Sequence, residues 1–370
     1  MKKHISIILS ILFIASIFTG CVKNKDSSKS AGSSASSTTE KSNTKTITDN
    51  ASIQVQVPKM IERIADLDGA HNEILSVLGY ADKIVTSGQE TSTELTPWLY
   101  KVVPTMNKSE SGFKNGINTE TLMSVKPDLA FLEVGDKNID KITSVGIPVV
   151  QWKVSDFESL KKCVSVTAEA LGEDAIKKGE QYNEYFDSKL NMIKNVTSKI
   201  PEEKKPKILH IVNLSPLMVD GGNCIINDWI EAAGGINAAK SIEGKTKEVS
   251  MEQVLEWNPD IIVFGKVRVS GQATMVQSMK DNIMNNDEWK KISAVQNGKV
   301  FTNPDGIFSW DRLSAEEALQ IQWAAKTFYP DLFKDLDVAK ETKDFFKTFI
   351  NYDITDDDVQ KILNAEPPNK

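Results

Sequence analysis

The chain has 370 residues, 40% of them hydrophobic and 26% charged, with a net charge of −7 at neutral pH. That is enough apolar material for two modest lobes with cores of their own, and the acidic balance argues against a nucleic-acid partner. The only cysteines are Cys21, Cys163 and Cys224 and the only histidines His4, His71 and His210, so no zinc-type Cys/His cluster can be written.

The N-terminus reads as an address. Lys2 and Lys3 precede an apolar run of about 14 residues, "ISIILSILFIASIF", which is short for a membrane span. The "FTGC" that follows resembles a lipoprotein signal over residues 1–20, with Cys21 lipidated and becoming the first residue. Phe18 departs from the usual leucine three places before that cysteine. An uncleaved anchor or an ordinary secretory signal are the alternatives. Residues 21–52 are Ser/Thr/Lys/Asn-rich and nearly devoid of large apolar side chains, so they are expected to form a flexible tether. In an exported protein Cys163 and Cys224 could bridge; two buried free thiols are the expectation.

Residues 53–154 are expected to form an N-terminal α/β lobe. "MIERIADL" suggests a strand, and "GAHNEILSVLG" a helix stopped by Gly79. "KIVTSG", "LAFLEV" and "GIPVVQW" read as further strands. Between them "INTETLMSVKPD" gives a helix capped by Asn118, with Glu120 in its first turn and Pro127 as its stop. Strand and helix alternate, which implies a parallel sheet. Residues 155–200 read as helical, interrupted near Gly172, and Glu173–Ile200 is long enough to join two lobes. Residues 201–370 are expected to form a second α/β lobe with a helical, acidic tail. "KILHIVN" and "KVFTNP" are its strands, and capping boxes are expected at Ser250/Gln253 and at Ser314/Glu317.

One sentence is written twice. "INTETLMSVKPDLAFLEV" from Ile117 and "VSMEQVLEWNPDIIVFGK" from Val249 align 132 positions apart, matching Glu120 with Glu252 and Pro127-Asp128 with Pro259-Asp260. Together with "GIPVV", "DWIEAAGGINAA" and "FSWDRLSAEEALQIQWAAKTFYPD", these motifs run in order from about residue 57 to 330. They resemble the substrate-binding proteins of iron-siderophore, haem and cobalamin ABC importers. The resemblance implies two Rossmann-like lobes joined by a single long rigid helix, here Glu173–Ile200, with the ligand in the cleft between them. It also implies a role for one surface glutamate per lobe. Glu120 and Glu252 would dock against arginines of a two-fold symmetric permease, which presents the same basic pocket twice. Such complementarity sets orientation and association rate. The bland alternative is that both acids only complement their helix dipoles.

Ligand contacts are expected where strand-to-helix turns line the crevice of an α/β sheet. His71 lies in the first such turn and could touch the ligand or complete the coordination of a chelated metal. Trp98 and Tyr100 in a loop could stack on a planar ligand. Trp310 and Arg312 precede a helix, and the arginine could hold carboxylate or phenolate oxygens in a fork. Arg268 after the second repeated strand, and Glu133 at the corresponding place in the first, are weaker candidates. His210, Trp152, Trp229, Trp257 and Trp323 are expected to be structural.

The resulting expectation is a receptor without intrinsic cofactor, anchored to the membrane through Cys21. Its ligand would be a metal complex of Fe, Co or Ni, and its partners an ABC permease dimer with its ATPase subunits. The competing class is an extracytoplasmic enzyme, a metal chelatase or hydrolase. A hydrolase needs a base beside a nucleophile, and no Gly-x-Ser-x-Gly elbow is present.

Overall fold

The computed structural model describes residues 43–88, 92–109, 118–265, 272–312 and 314–369. Cys21 and Arg268 lie outside them. The chain opens with an antiparallel hairpin, β1 (Thr44–Thr48) and β2 (Gln54–Pro58). The first lobe follows as β3 (Ile64–Asp66), α1 (Gly69–Val77), β4 (Ile84–Ser87), α2 (Pro97–Val102), α3 (Thr119–Val125), β5 (Leu129–Glu133), α4 (Ile139–Thr143) and β6 (Val149–Trp152). Its four strands are all parallel, in the order β4-β3-β5-β6. Helices α5 (Phe157–Leu171) and α6 (Glu173–Thr197) lead to the second lobe.

That lobe contains β7 (Lys207–Leu214), β8 (Leu217–Val219), α7 (Ile225–Ala232), β9 (Ile236–Asn237), β10 (Lys247–Glu248), α8 (Met251–Trp257), β11 (Ile261–Phe264), α9 (Gln272–Asn285), α10 (Ser293–Gln296), β12 (Val300–Thr302) and α11 (Glu317–Phe328). The tail adds α12 (Val338–Phe345) and α13 (Asp356–Leu363). The sheet order is β10-β8-β7-β11-β12 with β9 also on β7, and β7, β9, β11 and β12 run parallel. This is the expected fold class: two parallel-type sheets and a long helix.

The parallel strands are apolar on both faces, as burial under two helical layers requires. On β5, Leu129 and Phe131 enter a core shared by both lobes, while Ala130 and Leu132 enter a core private to lobe one. On β11, Ile261 and Val263 face the shared core, and Ile262 and Phe264 a core private to lobe two. Helix α6, about 37 Å long at 1.5 Å per residue, lies on the shared core through Tyr182, Phe186, Leu190 and Ile193. Its Gly179 lies against Ala168 and Leu78 of lobe one, and Tyr182 Oη donates to Ala315 O of lobe two at 2.8 Å.

Two expectations about the flanks are corrected. Thr44–Thr48, read as tether, is a strand, because Ile47 lies opposite Val55 and is buried in the same core as Val57. Both cysteines are free, as expected, but only Cys163 is buried and Cys224 is half-exposed.

Candidate functional site

The duplicated sentence builds one joint twice. α3 begins at Asn118, whose Oδ1 accepts the N–H of Glu120 at 2.9 Å, and α8 at Ser250, which forms a reciprocal capping box with Gln253. Each helix ends on a residue in left-handed conformation, Lys126 (φ +45°) and Asn258 (φ +42°), followed by a buried proline. The aspartate after it clamps the neighbouring strand. Asp128 Oδ2 accepts the N–H groups of Glu62 (2.7 Å) and Arg63 (2.9 Å), and Asp260 Oδ2 accepts that of Lys207 (2.8 Å). A cation then satisfies the last turn of the helix: Arg63 Nε donates to Val125 O at 2.7 Å, and Lys207 Nζ donates to Trp257 O. The repeat therefore fixes the direction of both helices relative to their sheets. Glu120 and Glu252 stand at the same place in the first turn, and both are exposed. The N–H of Glu252 and the Ser250 hydroxyl favour its charged form and hold its carboxyl below the usual range.

The aromatic and histidine candidates land elsewhere. His71 is fully buried in α1, its Nδ1 3.0 Å from Asp66 Oδ2 and its Nε2 2.9 Å from Thr167 Oγ1. The ring stacks on Trp152 at 5.3 Å. Burial opposes its charged form, but Asp66 outweighs that and raises the pKa to about 10. With both nitrogens engaged inside the lobe, it offers none to a ligand, and the contact reading is corrected. Trp98 is also fully buried, on α2 rather than in a loop, its Nε1 donating to Glu366 O at 3.1 Å. Trp310 is fully buried as well. Sequence gave each an exposed position because strand-to-helix turns and loops usually face solvent. Here contacts from Thr167 and Glu366, far along the chain, cover His71 and Trp98.

Three candidates keep an opening. Tyr100 is half-buried, its hydroxyl beside Ser87 at the C-terminal end of β4 and beside Ser109. Glu133 is exposed at the C-terminal end of β5. Arg312 keeps 17% of its side chain accessible.

Arg312 lies beside the seam between the lobes, which is sealed by a residue the sequence did not single out. Glu73 of α1 is fully buried and crosses to lobe two. Its carboxylate accepts Ser314 Oγ–H (2.9 Å), the N–H of Ala315 (2.9 Å) and the N–H of Glu316 (3.0 Å). Its carboxyl thus sits just ahead of α11, where a negative charge is favoured, but burial outweighs these hydrogen bonds and raises its pKa to about 7. Glu317 does not close a capping box with Ser314: both its oxygens lack hydrogen-bond partners among the described residues. Burial, then Asp311 and Asp228, push the Glu317 carboxyl well above the usual carboxylate range, which favours its neutral form. Two surface pockets, of about 480 and 640 Å³, lie against α4 with β2 and against α9 with α11. Neither is lined by Tyr100, Glu133 or Arg312.

On the lobe-two side of the seam is a buried charge cluster. His210 bridges Asp220 and Asp311, and Arg312 Nη2 donates to Asp220 Oδ2 at 2.6 Å. Burial opposes ionisation of Asp220, but His210 and Arg312 outweigh it and hold its carboxyl far below the usual range. Gly265 leaves the space the cluster needs, since a Cβ there would come within 2.2 Å of His210 Cε1. His210 is fully buried, but in a polar cluster rather than on an apolar strand face; burial opposes its charged form, and its two aspartates outweigh that and raise its pKa. Its signal was available: "KILHIVN" puts a histidine where a buried strand has no use for one.

Two α/β lobes on one shared core, crossed by a long helix and presenting matched first-turn acids, define a two-lobed solute-binding protein. The chain belongs to the periplasmic binding protein family, whose profile matches residues 64–306. It is a binding component and not an enzyme. It is 26% identical over 328 residues to the molybdate-binding protein MolA of Haemophilus influenzae, covering 82% of this chain and 90% of that one. It is 23% identical over 335 residues to the iron(3+)-hydroxamate-binding protein YxeB of Bacillus subtilis, covering 87% and 96%. Among solved structures, a periplasmic solute-binding protein from Veillonella parvula superposes with a TM-score of 0.75 at 28% identity, covering 87% of this chain and 98% of that one.

Proposed function

We propose that this chain is a lipid-anchored extracytoplasmic receptor that captures a metal chelate, an iron–siderophore complex first of all, and delivers it to an ABC importer. The relatives support the ligand class: their names include iron(3+)-hydroxamate-, Fe(3+)-citrate- and haem-uptake proteins. The anchor rests on the signal and on Cys21. Capture occurs between the lobes, with Arg312 contacting anionic oxygens and Tyr100 and Glu133 at the opposite strand ends.

The observation that carries delivery is the pairing of Glu120 with Glu252. Both are exposed first-turn acids on helices held by an aspartate clamp and by a cation on the last turn, Arg63 in one and Lys207 in the other. A two-fold permease needs two similar anions from a single chain, and this arrangement supplies them. Met123, 56% exposed on α3, adds an apolar contact beside Glu120. The test is Glu120→Lys with Glu252→Lys: chelate affinity unchanged by calorimetry and uptake abolished in cells. Normal uptake would reduce the repeat to a habit of α/β joints. A panel of iron(III) hydroxamate, iron(III) citrate, haem, a corrinoid and nickel and cobalt chelates identifies the ligand, and heat from none of them would sink the receptor reading.

A second reading, capture of a free oxyanion such as molybdate, is favoured by the relative that binds it and by the Arg312 cluster. Molybdate belongs in the same panel.

A further inference from the structure

His210 stands mid-strand on β7 with a carboxylate on each ring nitrogen: Nδ1 2.8 Å from Asp220 Oδ2, and Nε2 2.9 Å from Asp311 Oδ2. A neutral imidazole carries one N–H, so one of these contacts would set a lone pair against a carboxylate oxygen. With both aspartates ionised, the doubly protonated ring satisfies both; a neutral ring would need one aspartate to carry the proton instead. Arg312 shares Asp220 Oδ2, and its Nε lies 3.9 Å from Asp311 Oδ2. The other groups facing the cluster are the Cys224 thiol beside Asp220 and Arg312, the edge of the Trp229 ring 5.9 Å from the imidazole, and Glu317 beside Asp311. The N–H of Thr246 holds the second oxygen of Asp220 at 2.7 Å. Around His210 the cluster thus holds two carboxylates that contact it and one guanidinium that contacts those carboxylates.

The charge count decides what this cluster can do. Two carboxylates outweigh one guanidinium, so without a second cation Arg312 would lie in a net negative surround and repel an anion. With the imidazolium the four groups balance, and the accessible part of the guanidinium carries the positive end. Among the described residues only Nη2 of Arg312 donates a hydrogen bond, and Nε faces Asp311 Oδ2 at 3.9 Å, so Nη1 remains for a ligand. Gly265 lets the ring sit at this distance from Asp311.

We propose that His210 is the positioning residue that makes Arg312 available to an anionic, oxygen-rich ligand, by neutralising Asp311 and anchoring Asp220 beneath the guanidinium. The inference rests on the reading of Arg312 as a ligand contact and extends it inward: the sign of the site is set by a residue the ligand never touches. The ligand chemistry is an oxygen anion, whether the carboxylates of a metal chelate or a free tetrahedral oxyanion.

The test uses the full chain, calorimetry with iron(III) citrate and with molybdate as separate probes, and the variants His210→Gln, Asp311→Asn and the two combined. His210→Gln should weaken whichever anionic probe binds by on the order of tenfold or more. Asp311→Asn in that background removes the surplus negative charge and should restore most of the affinity. A purely structural histidine predicts the opposite: the double variant would bind no better than His210→Gln. That result, or unchanged binding by His210→Gln, overturns the proposal. Wild-type protein that binds neutral iron(III) trihydroxamate but neither anionic probe also overturns it while leaving the receptor reading intact. Failure to bind any metal complex or molybdate sinks the receptor reading itself. The imidazole N–H signals of His210 in NMR spectra give a check without ligand: two are expected, and one would overturn the proposal.

Discussion

The two lobes share a joint and differ in what they bury beside it. In both, a capped helix ends in a left-handed residue, a proline and an aspartate that grips the neighbouring strand. In lobe one the buried histidine meets a single carboxylate and a hydroxyl and stacks on Trp152, closed off from the seam. In lobe two the histidine meets two carboxylates whose partner arginine is still accessible. The matched part faces away from the shared core, since Leu122 and Val254 of the two helices enter the private cores. The unmatched part lies by the seam. A duplicated surface suits a symmetric partner, and an asymmetric interior suits a ligand with no symmetry of its own.

The largest effect should come from removing the buried Glu73 carboxyl, which reaches from lobe one to lobe two. Glu73→Ala leaves Ser314 Oγ and the N–H of Ala315, just before α11, without their acceptor, while the N–H of Glu316 keeps Ser314 Oγ at 3.0 Å. A loss of about 3 kcal/mol is expected in denaturant unfolding. Glu73→Gln, which keeps an acceptor oxygen, should cost less. If both variants unfold like wild type, the lobes are held by the apolar core alone.

Gly265→Ala should cost about 2 kcal/mol by overpacking against His210. Lobe one has no glycine packed on His71 in the same way among the described contacts, so this cost is specific to lobe two.

The histidines give a pH test. A group whose folded pKa is raised stabilises fully below its unfolded value, and loses that contribution as pH rises through the folded one. For His71 the window runs from about 6.5 to about 10. His210 is raised too, so the thermal midpoint should fall as pH is raised through this range. His71→Gln should flatten part of the fall. An unchanged slope in that variant would mean His71 is neutral in the folded protein.

The clamps allow the most direct comparison. Asp128→Asn and Asp260→Asn should each cost about 1 kcal/mol, and by similar amounts, if the joints are equivalent. The smallest effect separates them. Lys126→Gly relieves a left-handed lysine and should stabilise by about 0.5 kcal/mol. Asn258→Gly removes the Oδ1 that accepts the N–H of Ser293 and should not. Equal responses would show that the Asn258 side chain contributes nothing.

Much of this was legible in the sequence because it is local. Caps at Asn118 and Ser250, the stop at Pro127, the break at Gly172 and the long helix after it follow from neighbours a few residues away. Alternating strand and helix fixed the fold class, and the repeat drew attention to Glu120 and Glu252. What depended on distant partners was not legible. Nothing near His71 announces Thr167 or Trp152, and nothing near Trp98 announces Glu366. Ser314 and Glu317 have the spacing of a capping box, yet the acid that serves the helix is Glu73, 241 positions earlier. The sequence by itself determined where helices begin and end and that two halves are built alike, because those choices are made within one or two turns of chain. Only the tertiary structure decided which polar side chains are sealed in, which acid completes which helix, and that His210 rather than His71 lies beside an accessible cation. Burial and charge balance are properties of the surroundings, and here they are supplied from the far side of the fold.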